Sequence, residues 1–70
     1  MMPLTLATVG EENLIRKVGG SPDVKQHLED IGFVVGGTVT IVSMNGGNVI
    51  VKVKEARIAI SESMANKIMV

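Results

Sequence analysis

The sequence predicts a mainly β fold: a small barrel of about five short strands, with one short α-helix (about 22–31) and a helical turn near 62–66. Three observations carry that prediction. Past Gly36 the apolar residues recur with period two, in segments separated by turn residues, as strands require. One segment, Ser21 to Gly32, obeys the rules of a short capped helix. Five short strands in seventy residues are too few for two packed sheets, so closing into a barrel hides their edges and makes the best use of the apolar area.

The first segment, Leu4 to Val18, is ambiguous. Within it Glu11 to Val18 alternates as a strand would, Asn13, Ile15 and Lys17 against Leu14, Arg16 and Val18, yet neither face is cleanly apolar. Gly19-Gly20 ends it.

The helix follows. Ser21 suits the N-cap, Pro22 the first helical position, and Asp23 the positive end of the helix dipole. Val24, Leu28 and Ile31 then fall at i, i+4 and i+7, one apolar stripe. Gly32 fits the position after the C-cap, where the chain turns left-handed, and Phe33 would fold back on Leu28 to complete a Schellman cap.

The strands come next. Thr38 to Met44 sets Val39 and Ile41 on one face, with Thr38, Thr40 and Val42 on the other. Asn45-Gly46-Gly47 is a strong turn signal, since these residues accept positive φ. Asn48 to Lys54 alternates again, Val49, Val51 and Val53 against Ile50, Lys52 and Lys54. A second reversal at Glu55-Ala56 leads into Arg57 to Ile60, with Ile58 and Ile60 inward. Ser61 can cap a turn through Glu62 to Asn66, and Ile68 to Val70 forms the last strand.

Composition narrows the function. The chain makes one domain, residues 1–70, with a small core that must rest on aliphatic packing, because Phe33 is its only aromatic residue. It has no cysteine, which excludes disulfides and thiolate metal sites. Seven basic and seven acidic side chains cancel, and no aromatic platform exists for stacking bases, so nucleic acid is not an expected partner. No targeting segment or membrane span is read, and a cytoplasmic protein is expected.

Catalytic machinery is not found. Gly19 to Lys25 resembles a phosphate loop faintly, but it lacks the Gly-Lys-Ser/Thr ending and has Pro22 where a donor is wanted. A serine nucleophile would have only His27 as its base, with no acid placed to orient it. His27, with Asp30 at i+3 and Asp23 at i−4, is a weak metal-ligand candidate. A half-buried histidine at the edge of the apolar stripe is the simpler reading, since bound metals usually need three or four ligands. The five methionines show no regular spacing and read as gap fillers or an adaptable surface. Lys52, Lys54 and Arg57 read as a solvated strand face.

The ordered set Leu6 and Gly10, Gly19-Gly20, Leu28 with Ile31-Gly32-Phe33, Gly36 or Gly37, Arg57-Ile58-Ala59-Ile60, Ala65 and Ile68-Met69-Val70 resembles the FeoA family of bacterial ferrous-iron uptake. It departs in two places. Val35-Gly36-Gly37 stands where a proline commonly precedes the glycine, and Ile60 stands for the usual leucine.

The resemblance implies an SH3-like barrel and a non-catalytic accessory role, with no cofactor, binding and modulating the cytosolic part of the FeoB transporter. Contact with the membrane would then come only through that partner. Similarity to the C-terminal module of DtxR-type repressors implies the alternative of a small metal-sensing domain. Val34, Val35 and Met44, apolar residues at turns, are the expected partner contacts, with core packing as their simpler role. Leu28, Gly32 and Phe33 are expected to be structural.

Overall fold

A computed structural model describes all residues, 1–70. A short 3-10 turn, Leu4–Leu6, opens the chain. After it come β1 (Glu12–Leu14), β2 (Lys17–Val18), α1 (Pro22–Asp30), β3 (Thr38–Asn45), β4 (Asn48–Val53), β5 (Ala56–Ser61), α2 (Glu62–Ala65) and β6 (Ile68–Met69). The strands form a four-stranded antiparallel sheet in the order β1-β3-β4-β5 and a two-stranded sheet of β2 and β6. Fifteen buried apolar side chains form one cluster shared by both sheets, from Leu4 and Ile15 to Ile68 and Val70.

Within the expected small barrel, the strands differ in detail from the sequence reading. The first strand is two strands, because the chain bends at Ile15. That residue's N–H donates to Gly37 (2.8 Å), its carbonyl accepts from Gly36 (2.9 Å), and its side chain is fully buried. Leu14 stays on β1 and Lys17 starts β2, so the alternation read through Glu11–Val18 breaks where the chain changes sheets. The strands also number six, and the ladder is not continuous around the barrel.

The meander follows its pattern more closely. Val49, Val51 and Val53 are buried, while Lys52 and Lys54 are exposed. Gly46 and Gly47 are the two central residues of the β3–β4 turn at φ +56° and +86°, the paired positive angles of a type I′ hairpin. Between Ile41 and Ser43 the register shifts, leaving Val42 as a bulge. The bulge exchanges the two faces of β3, so Met44 pairs with Val49 and points to the core side at the hairpin's end.

Helix α1 ends at Asp30 with Ile31 as its C-cap, one residue short of the expected span. Gly32 follows at φ +119°. Its N–H donates to Glu29 (3.0 Å) and the Phe33 N–H to Leu28 (2.9 Å), the two bonds of a Schellman motif. Leu28 and Phe33 are both fully buried. Ile31 is exposed rather than part of the stripe, because the helix has already ended at its position. At the other end the Ser21 Oγ accepts from Val24, and Ser61 caps α2 the same way through Met64.

The chain's ends are joined. The Met2 and Val70 backbones exchange both hydrogen bonds, at 2.9 and 2.8 Å, and Pro3 bridges Met69. No helix is long and apolar enough to cross a membrane.

Candidate functional site

The residues singled out from the sequence fall at three places. His27 and Asp30 both lie exposed on α1. The expectation of a half-buried histidine fails because His27 stands about 100° around the helix from Leu28, on a side nothing packs against. Asp30 Oδ1 accepts instead from the Gln26 side-chain amide, at 2.8 Å. No three His, Asp or Glu side chains come together in a group that could hold a metal ion.

Val34 and Val35 occupy the corner where α1 hands the chain to β3. Ordinary core packing, the simpler reading of both, does not hold: Val34 is 37% and Val35 64% exposed. The corner is tightly fixed. The Val34 N–H donates to Gly32, the Gly37 N–H to Val34 and the Gly36 N–H to Ile15, all at 2.9–3.0 Å. The same bonds bring β1 alongside, with Leu14 paired to Thr38 on the outer face of the sheet and 46% exposed. Leu14, next in sequence to the Ile15 that bonds to Gly36 and Gly37, is thus exposed beside the turn that carries Val34 and Val35, and Ile31, also exposed, precedes that turn at the C-cap of α1.

Leu14 was not among the expected contacts. The available signal was its outward position: it shares a face with Glu12, so an aliphatic residue stands in the solvent-facing set of β1. The ambiguous alternation of that segment concealed it.

Met44 is elsewhere. It lies six positions on from Thr38 along β3, about 20 Å of strand, so it stands at the opposite end of the sheet from Val35. There it lines an open groove with Thr5, Asn48, Val49 and Glu62 under the β3–β4 turn. Leu6 and Val9, both exposed, precede the point where the Gly10 N–H bonds to Ile41. The three expected contacts therefore do not form one surface. Met64, by contrast, packs against the core as a gap filler should.

Residues 2–70 match the model of the FeoA domain family. A protein of Methanocaldococcus jannaschii, named "Putative Fe(2+) transport protein A", is 34% identical over 70 residues, which are all of this chain and 85% of that protein. Two solved structures share the fold. A crystal structure of an iron uptake regulatory protein (FeoA) superposes with a TM-score of 0.85 at 24% identity, covering 96% of this chain and 89% of that one. The zinc-complexed FeoA of Stenotrophomonas maltophilia, described as an SH3 domain protein, gives a TM-score of 0.77 at 21% identity, over 99% and 88% of the two chains. The architecture of six strands about one small core is accordingly SH3-like.

Proposed function

The chain belongs to the FeoA domain family, which is associated with ferrous iron transport, and from that premise we propose that it is a non-catalytic, cytoplasmic accessory protein that binds and modulates the cytosolic part of a FeoB-type transporter. The observation that carries this reading is the corner of Leu14, Val34 and Val35. A chain with so small a core would bury large apolar side chains if stability alone decided their place, and clustered ones left at the surface mark contact sites. The corner is pre-shaped by the Schellman bonds and by the bonds of Ile15 to Gly36 and Gly37, so little conformational entropy is lost when a partner covers it. The alternative, a metal-sensing domain using His27 and Asp30, has only that exposed pair as its donor set.

A pull-down with the transporter's cytosolic domain tests the proposal. The unaltered protein is expected to bind in at least one nucleotide state. Val35→Asp is expected to abolish binding while leaving the amide NMR spectrum folded, and Met44→Asp to leave binding intact. Absence of binding in every nucleotide state overturns the proposal, as does undiminished binding of Val35→Asp.

A further inference from the structure

Strand β5 is the last of its sheet and has a neighbour on one side only. The two-residue turn Lys54-Glu55 closes on the pair Val53 and Ala56. Alternation from that pair turns the N–H and C=O groups of Arg57 and Ala59 and the N–H of Ser61 away from β4, while the Ser61 carbonyl opens α2 as its N-cap. No backbone hydrogen bond outside the helices and ladders involves residues 56–61. An open edge six residues long is a template for another strand.

The side chains around this edge select what can use it. One outward row across the sheet reads Glu12, Thr40, Lys52, Arg57, which places the cations at the β5 side. Lys54 stands in the adjoining turn with Glu55 as the acid beside it, and all of these charged groups are exposed. Lys52, Lys54 and Arg57 take part in none of the side-chain hydrogen bonds. On the inner face Ile58 packs against the core cluster yet is only half-buried, leaving its flank open to an apolar neighbour.

These features disfavour two occupants. Two copies joined β5 to β5 would bring two sets of the same cations together. The β1 edge of a second copy carries Glu12, but it is three residues long and would leave half of β5 uncovered. We propose that the β5 edge accepts, by strand addition, an extended acidic segment of a partner protein. Its acidic side chains would lie on the face of Lys52 and Arg57, with an apolar side chain beside Ile58. The inference does not depend on the transporter reading, which concerns the Leu14, Val34 and Val35 corner.

The test is an NMR titration of the isotopically labelled full chain with a blocked octapeptide of alternating Glu and Val, and with its Lys-Val counterpart. The Glu peptide is expected to shift the amides of residues 56–61, to slow the exchange of the outward-facing ones, and to bind less well as salt is raised. Reversing both charges in Lys52→Glu/Arg57→Glu should weaken it about tenfold or more. Ala59→Pro removes an outward-facing donor at an edge position, where proline is tolerated, and should abolish binding. If Ala59→Pro does not fold, the charge-reversed variant, altered only at exposed positions, decides. The proposal is overturned if the Lys peptide binds equally well, if the shifts centre elsewhere, if both variants bind unchanged, or if β5 instead joins two copies of this chain.

Discussion

The Phe33 amide donates to the Leu28 carbonyl at 2.9 Å, and the two side chains at the ends of that bond are both wholly buried. With the Gly32 bond to Glu29 it ends the helix, and it sets the start of the corner that carries Val34 and Val35. The apolar surface assigned to partner binding is only as well defined as this cap, so its energetics can be tested residue by residue.

Gly32 holds φ +119° with nothing closer than 3.6 Å to a Cβ placed on it, so the cost of a side chain there is backbone strain and not collision. Gly32→Ala is expected to destabilise the protein by about 1–2 kcal/mol. For a domain of this size each kcal/mol lowers Tm by about 4–8 °C. Thermal denaturation followed by far-UV circular dichroism measures it, since the chain has no Trp or Tyr to serve as a fluorescent probe.

Phe33→Ala should cost about 3–5 kcal/mol, through lost apolar transfer and the cavity left behind. A chain of seventy residues has roughly 3.5–10 kcal/mol of stability in total. The variant is therefore expected to melt near or below room temperature, whereas Phe33→Leu, with less volume lost, should remain folded. Both appear directly in the dispersion of the amide NMR spectrum.

The split of the first strand gives a contrast between neighbours. Ile15→Ala should cost about 2–5 kcal/mol, because its side chain is fully buried, and Leu14→Ala should stay within about 0.5 kcal/mol. Urea denaturation of the two variants checks the contrast, and Val18→Ala, buried three residues on from Ile15 where an unbroken strand would face the other way, should be costly as well.

At the β3–β4 turn, Gly46→Asn should be nearly neutral, since Asn-Gly suits a type I′ turn. Gly47→Val forces a β-branched residue to φ +86° and should destabilise by about 1–2 kcal/mol or more. Parallel thermal melts of the two variants provide the check.

The parts that could be read from the sequence are those whose causes are local. Ser21, Pro22, Leu28, Gly32 and Phe33 specify a helix and both its ends through contacts within a few residues, and the structure has each of them. The alternation of Val49, Val51 and Val53 works in the same way. What was not readable depends on distant partners. The bend at Ile15 exists because the Gly36 N–H donates and the Gly37 carbonyl accepts there, and no property of Ile15 itself announces it. The Val42 bulge is set by register against Val51 and Ile50, and it decides which face Met44 takes. At the candidate site, Val34 and Val35 are legible as apolar residues at a turn. Leu14 joined them only once the fold had brought β1 alongside.

The pairing of Met2 with Val70 separates architecture from the order in which the chain is written. A few linking residues would close the ends into a circle, and the chain could then be reopened at Gly46-Gly47, an exposed tip. Such a circular permutant would begin with β4 and end with β3, keeping every strand pair while turning one of the two two-residue hairpins into a contact between the two ends of the polypeptide. It should reach the same folded state more slowly, because one of the two most local pairings would become the most distant.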